Sequence, residues 1–254
     1  MADALIVPFY LDWKFWSFSV SFAAFTISIL PHLKRFRRAK IECEVYQKIH
    51  ISHKVGNPNA QLHIILNNTG GRRVRIKRLS LSFKRAGEPE FTLTGGNYLN
   101  APSDKESILL TPFSLKPGDE WGHIVHFFME YSQHDQRLYK AIESTLKKDV
   151  RAKLDELPEE PGPNSVPVVG EIENVSPVLD FFNRKFKWFA GEYEVVLSVT
   201  AEIPNVMTSK RMRTTIFESD SRDMEEFKKD YPTGRGLWWG PDEPGVILEL
   251  VDKT

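Results

Sequence analysis

Residues 61–83 read QLHIILNNTGGRRVRIKRLSLSF, and this stretch decides the fold class of the chain. Apolar residues occupy alternate positions on both sides of its centre: Leu62, Ile64 and Leu66, then Leu79, Leu81 and Phe83. Such alternation is typical of β-strands that bury one face, and the NNTGG run at residues 67–71 is typical of a turn. The stretch therefore predicts two strands joined as a hairpin.

The same alternation recurs at residues 41–45, 121–129, 193–199 and 211–217. Residues 134–157 differ, because their apolar residues are four apart: Leu138, Ile142, Leu146, Val150 and Leu154. That spacing places one apolar stripe on a charged helix. We therefore expect residues 41–254 to form a mainly β domain, a β-sandwich with a helical insertion near residues 134–157.

Three short motifs in this domain resemble those of a membrane-anchored, immunoglobulin-like module of bacterial proteins. They are the strand–NNTGG–strand opening, the L-x-P-G-D turn at residues 115–119 and the G-x-Y strand start at residues 191–193. The Cys…Trp…Cys pattern of true immunoglobulin domains is absent, because Cys43 is the only cysteine. The resemblance implies an immunoglobulin-like β-sandwich and implies no activity.

The charges of the chain are separated along its length. The 254 residues include 34 Lys and Arg and 34 Asp and Glu, so the net charge is zero. Residues 34–85 nevertheless hold 14 basic and 2 acidic residues, a net charge of +12, whereas residues 86–254 hold 19 basic and 30 acidic residues, a net charge of −11. This separation predicts an acidic partner surface for the basic region.

An uncharged apolar segment precedes the basic region. Residues 15–33 read FWSFSVSFAAFTISILPHL, which as a helix would extend over about 28 Å, close to the roughly 30 Å of a bilayer core. Aromatic residues lie at its start, and a basic flank follows its end: Lys34, Arg35, Arg37, Arg38 and Lys40. The positive-inside rule then predicts a single-pass helix at residues 13–33 in the plasma or inner membrane, with residues 1–12 outside, a basic linker at 34–40 and the β domain in the cytosol. An in-plane helix and a buried globular helix are the alternatives.

Small residues lie on one side of this predicted helix, at Ser17, Ser21, Ala24 and Ser28. Small residues allow membrane helices to approach closely, so this face is a candidate for self-association or for pairing with another membrane helix. The alternative is a lone anchor that merely tolerates serine.

Two further sets of residues are candidates for binding. The cations around the predicted turn, Arg72, Arg73, Arg75, Lys77 and Arg78, are suited to lipid headgroups, to nucleic acid or another acidic partner, or to a solvated face. Trp238 and Trp239 lie between glycines and predict an exposed aromatic loop. For the aromatic and basic run at residues 181–189, we favour rings that complete the core while the cations extend to solvent.

No motif of a known catalytic chemistry is present. The chain lacks G-x-x-x-x-G-K-[ST], G-x-S-x-G and H-E-x-x-H, and Cys43 on an alternating strand is more typical of a small core residue than of a nucleophile. If residues 123–134 were helical, His126, Glu130 and His134 would share a face and could bind a metal. We favour a strand there, and we assign no catalytic residue, metal ligand, cofactor or small-molecule substrate.

These features together predict a binding protein rather than an enzyme: a single-pass membrane protein with a cytosolic β-sandwich that contacts lipids and another protein, either a second copy or a different chain. Nucleic acid is a less favoured partner. The alternatives are a membrane effector or sensor of a multi-component system, such as a defence system, and a metal-dependent enzyme that uses His126, Glu130 and His134.

Overall fold

The computed structural model describes residues 13–34, 38–101, 103–156, 167–203, 206, 208–240 and 245–253, without the side chains of residues 14 and 29–34. The predicted segment 1–12 lies outside the described residues.

The helices are α1 (Trp13–Lys34), α2 (Gln133–Asp155), α3 (Ile172–Lys185) and α4 (Glu218–Glu226), which continues into a 3₁₀ helix at Phe227–Thr233. The strands are β1 (Ile41–Lys54), β2 (Asn57–Asn68), β3 (Val74–Arg85), β4 (Phe91–Leu99), β5 (Ile108–Leu109), β6 (Phe113–Leu115), β7 (Glu120–Phe128), β8 (Gly191–Ala201), β9 (Thr208–Ile216), β10 (Gly245–Glu249) and β11 (Val251–Asp252).

The described strands form one antiparallel sheet that nearly closes on itself, which confirms the mainly β class. Its order is β10-β1-β2-β7-β4-β3-β8-β9-β11. The sequence predicted a sandwich, but here the sheet is continuous because β4 pairs with both β3 and β7. Divided between β4 and β3, the sheet has the orders β1-β2-β7-β4 and β3-β8-β9.

Tyr193, near the start of β8, forms hydrogen bonds with the segment that precedes this strand. Its hydroxyl lies 2.9 Å from the backbone carbonyls of Lys187 and of Phe189, six and four residues upstream, respectively. The tyrosine of the G-x-Y motif therefore stabilises the corner of the chain just before β8.

The predicted hairpin at residues 61–83 is wrong in its pairing. The strands β2 and β3 form as expected, but β2 pairs with β1 and β7, while β3 pairs with β4, β6 and β8. The NNTGG segment thus connects two parts of the sheet that are not neighbours. Alternation in the sequence determines which face of a strand is buried, and it does not determine the partner strand.

Helices α2 and α3 pack together beside the sheet. The buried stripe of α2 is Tyr139, Ile142, Leu146 and Val150, and that of α3 is Val175, Val178, Phe181 and Phe182. The predicted helix at 134–157 is observed at Gln133–Asp155, although Leu154 of the predicted stripe is exposed. Asp149 of α2 fastens the two helices, because its Oδ2 accepts hydrogen bonds from the Glu171 amide at 2.6 Å and the Asn174 side chain at 3.0 Å.

Candidate functional site

Helix α1 presents its large apolar side chains to its surroundings. Within the described residues, eight of them are exposed: Trp13, Phe15, Trp16, Phe18, Val20, Phe22, Phe25 and Ile27. Apolar surface of this extent, left uncovered by the protein's own core, is typical of a site that contacts a membrane or another protein. The structure thus makes α1 the first candidate for an interaction element.

Two of the five described hydroxyl side chains of α1 form hydrogen bonds within the helix. The hydroxyls of Ser19 and Thr26 each donate to a backbone carbonyl one turn earlier, those of Phe15 and Phe22, at 2.9 Å. Such bonds satisfy a hydroxyl within its own helix. The predicted association face is also exposed, at Ser17, Ser21, Ala24 and Ser28. Its role in association remains a prediction.

In the described part of the chain, no helix combines the length and the mean hydropathy that crossing a membrane requires. The predicted span at residues 13–33 does form a helix, but its transmembrane role is not supported. Of the predicted basic flank, Arg35 and Arg37 lie outside the described residues, as does the side chain of Lys34. Arg38 and Lys40 are described and exposed.

Asn68 shapes the connection between β2 and β3. It is 1% exposed, and its side-chain amide donates to the carbonyls of Arg72 and Leu115, both at 2.9 Å. Its Oδ1 accepts the Gly70 amide at 3.1 Å. A buried amide with all these bonds fixes the backbone locally, so the cations that follow have a defined place.

The same connection binds the segment that follows α1. The Gly70 amide donates to the Lys40 carbonyl and the Gly71 amide to the Arg38 carbonyl, both at 3.2 Å. A side chain at Gly70 would collide with this backbone. Two basic sets that are more than thirty residues apart in sequence, one after α1 and one starting at Arg72, therefore lie side by side.

We refer to the combined set as the basic surface: Arg38, Lys40, Arg72, Arg73, Arg75, Lys77 and Arg78, all of them exposed. A bulge in β3 between Ile76 and Arg78 places both Lys77 and Arg78 outside, which simple alternation did not predict. Lys40 pairs with the exposed Glu42 at 2.6 Å. An open groove of about 560 Å³ lies beside Arg73 and Arg75.

The aromatic candidates are divided between core and surface. In the run at residues 181–189, Phe181, Phe182, Phe186 and Trp188 are buried, while Phe189 is exposed. Trp238 packs against the core, whereas Trp239 is 52% exposed and donates its indole N–H to the Thr233 carbonyl at 2.9 Å. Of the two tryptophans predicted to be exposed, Trp239 is exposed and Trp238 is not.

The proposed metal set does not form. His126 lies in strand β7, Glu130 follows that strand and His134 lies at the start of α2, so the helical alternative for residues 123–134 is wrong. No group of three metal-binding side chains occurs in the described residues. Burial lowers the pKa of His126, and to a lesser extent so does nearby His50.

Burial raises the pKa of the Cys43 thiol to about 11, so the thiol stays protonated at neutral pH and is a poor nucleophile.

A second surface was not predicted from the sequence. It lies between β9 and β10 and exposes Phe217, Ile247 and Val251. No local pattern indicates it, because it depends on how the C-terminal strands pair with β1 and β9, which are distant in sequence.

No protein-family model matches the chain, and no curated protein or solved structure is detectably similar to it.

Proposed function

We propose that the protein is a membrane-associated binding protein. In this proposal α1 enters the lipid bilayer, the basic surface lies against anionic headgroups, and the immunoglobulin-like β domain is held at the cytosolic side of the membrane. The observation that carries the proposal is the adjacency of the two basic sets, at the point where the exposed apolar helix α1 joins the domain.

The basic surface is suited to anionic lipid. A cation near such a surface contributes about 1 kcal/mol, and this contribution falls off within a Debye length of about 10 Å. Arg72, Arg73, Arg75, Lys77 and Arg78 form no salt bridge with another described residue, so their charge is available to a partner. Lys40 contributes less, because Glu42 partly offsets its charge.

The distribution of charge also supports one orientation. Residues 86–254 carry a net charge of −11 and would be repelled by an anionic bilayer, whereas residues 34–85 carry +12 and would be attracted. The basic end of the domain would then face the lipid, and the acidic body would face away from it.

Vesicle binding by the full-length chain tests the proposal. We expect binding to vesicles that contain phosphatidylglycerol to exceed binding to pure phosphatidylcholine vesicles, and to weaken with salt. The triple variant Arg72→Gln, Arg73→Gln, Arg75→Gln should lower anionic binding by more than about tenfold, given about 1 kcal/mol per charge. The matched control replaces three exposed cations of α2, Arg137, Lys148 and Arg151, and should have little effect.

A separate variant isolates α1. Replacing Phe18, Phe22 and Phe25 with serine should release the chain from cell membranes, while the Arg72-containing triple variant should leave insertion of α1 intact. Protease treatment of intact and of opened cells then reports the side on which the β domain lies. Equal binding to neutral and anionic vesicles, or tight salt-sensitive binding to duplex nucleic acid without preference for vesicles, would contradict the lipid assignment.

A further inference from the structure

The sheet has an opening where its two ends meet. β9 pairs with β8 along its length, but its other edge pairs with β11 only at Met212 and Arg213. β10 pairs with β1, and no described strand pairs with its other edge. The chain crosses between these edges at Leu250, whose amide donates to the Gln47 carbonyl at 2.8 Å. We call the opening beyond this crossing, between residues 214–217 and 245–249, the seam.

The ladder shows which backbone groups of β9 border the seam. The Lys253 amide donates to the Arg211 carbonyl at 3.0 Å, so the carbonyl of Arg211 points toward the β11 side of β9. The direction alternates along an antiparallel strand, so the N–H and C=O of Arg213 and Thr215 point to the same side. Arg213 pairs with Val251, whereas Thr215 has no partner on that edge among the described strands.

The facing groups of β10 follow in the same way. Because the Leu250 amide points to β1, the N–H and C=O of Ile247 and Glu249 point away from β1 and toward the seam. Continuing the pairing of Val251 with Arg213 by two residues would pair Glu249 with Thr215. That pair is not formed, so the two edges diverge after Arg213 and leave strand donors and acceptors on both sides.

The seam contains a cavity of about 500 Å³, which lies within the usual range for binding pockets. Its apolar lining is exposed, at 64% for Phe217, 67% for Ile247 and 64% for Val251. Thr214 also lines it, and its buried Oγ1 has no hydrogen-bond partner among the described residues. A buried hydroxyl is normally satisfied, so this one indicates a place for a bound polar group.

The charges around the cavity favour a basic occupant. Glu192, Asp220 and Glu249 line it, and Arg213 is the single cation among its lining residues, 3.5 Å from Glu192. A Lys or Arg side chain entering the seam would therefore meet an excess of carboxylates.

We propose that the seam binds an extended segment of a partner protein, which adds to the free edges of β9 and β10 as a further strand. The segment would alternate apolar residues, which face Val246 and Leu248 on the inner side, with polar residues that include Lys or Arg, which face Ile247 and the carboxylates of Glu192 and Glu249 on the outer side. An extended chain fits because it supplies backbone donors and acceptors at strand spacing, which is how strand addition gains affinity. Binding here depends on neither α1 nor the basic surface, so it goes beyond membrane association.

Peptide titration of the full-length chain in detergent micelles tests this. The probe is a fluorescent peptide of about eight residues, Thr-Val-Lys-Val-Thr-Val-Lys-Val, long enough for a typical strand. We expect saturable binding and slower hydrogen exchange at the amides of Thr215 and Ile247. A peptide of the same sequence, N-methylated at alternate residues, should bind at least about tenfold more weakly, because methylation removes backbone donors. No binding up to about 1 mM, or equal binding of the methylated peptide, would overturn the proposal.

Two pairs of variants place the peptide in the seam. Thr215→Pro removes an N–H that faces the seam and keeps the pairing with β8, so it should weaken binding. Ser209→Pro is the matched control. It removes an N–H on the same edge of β9, but on the far side of β11 from the seam, so it should not weaken binding. As a test without backbone change, Asp220→Lys should weaken binding of the lysine peptide and Asp223→Lys, on the same helix, should not. Protection confined to other strands, or a dimer that protects Thr215 and is not displaced by the peptide, would contradict binding of a partner segment.

Discussion

The Nε2 atom of His53 lies 2.8 Å from the backbone carbonyl oxygen of Met224, although 171 positions separate the two residues. Its Nδ1 atom accepts the Gly56 amide at 3.3 Å. A carbonyl can only accept and an amide can only donate, so the ring must be neutral with its proton on Nε2. The rings of Phe182 and Phe186 pack edge-on against it, at centroid distances of 5.4 and 5.5 Å. One neutral imidazole thus joins the β1–β2 turn to α3 and α4.

This arrangement predicts a loss of stability in mild acid. Burial lowers the pKa of His53 to about 4 from 6.5, so the folded state excludes a proton that the unfolded state binds between these values. The free energy of unfolding should therefore be highest, as far as His53 is concerned, above pH 6.5. It should fall as the pH decreases from 6.5 to 4, and below pH 4 His53 should cause no further decrease. The whole change is roughly 3 kcal/mol, at about 1.4 kcal/mol per pKa unit. Urea unfolding at a series of pH values measures it.

A pair of variants assigns that pH dependence. His53→Gln keeps a donor and an acceptor but cannot titrate, so unfolding free energy should depend less on pH between 6.5 and 4, even if the variant is less stable throughout. The exposed His134→Gln should keep the slope of the original protein. An unchanged slope in His53→Gln would show that the acid sensitivity arises from other groups, such as His50 and His126, whose pKa values burial also lowers.

Tyr193→Phe should destabilise the domain by about 1–2 kcal/mol. The substitution keeps the ring and removes a buried hydroxyl, which leaves the Lys187 and Phe189 carbonyls without that donor. Tyr46→Phe is the matched control, because Tyr46 is also on a strand but is 57% exposed. Thermal unfolding compares the two. Equal melting temperatures for the two variants would mean that the Tyr193 hydroxyl does not fasten the corner at the start of β8.

The strands were predictable from the sequence, and their neighbours were not. Alternation located β2, β3, β8 and β9, because burial of one face constrains every second residue in each strand. Pairing depends on contacts such as those of Asn68 with Leu115, which are remote in sequence and have no local pattern. The seam was missed for the same reason.

Helix α3 was missed for a local reason. Pro177 within Ile172–Lys185 argues against a helix, and the aromatic pair Phe181 and Phe182 was interpreted without its helical context. The apolar spacing of Val175, Val178 and Phe182 was the available signal. For the candidate site, the sequence identified the cations of the basic surface, but only the hydrogen bonds of Gly70 and Gly71 bring the two sets together.

Two glycines with nearly the same backbone test how closely α3 packs on the β1–β2 turn. Gly56 has φ +81° and Gly87 has φ +79°, so alanine at either position should cost about 1 kcal/mol in backbone strain. A Cβ at Gly56 would also lie 2.5 Å from the Phe182 carbonyl oxygen, whereas a Cβ at Gly87 would meet nothing within 4 Å. Gly56→Ala should therefore lower the free energy of unfolding by about 1–3 kcal/mol more than Gly87→Ala does, as measured by urea unfolding. Similar losses for both variants would mean that this contact is loose.

The small-residue face of α1 can be tested by crosslinking, because Cys43 is the only native cysteine. In a Cys43→Ala background, single cysteines at Ser21 and at Phe22 point about 100° apart around the helix. If helices associate through Ser17, Ser21, Ala24 and Ser28, oxidation of intact membranes should give severalfold more disulfide-linked dimer from Ser21→Cys than from Phe22→Cys. Ala24→Phe should reduce the Ser21→Cys dimer by preventing close approach. Equal yields from the two cysteines would instead indicate random collision of lone anchors.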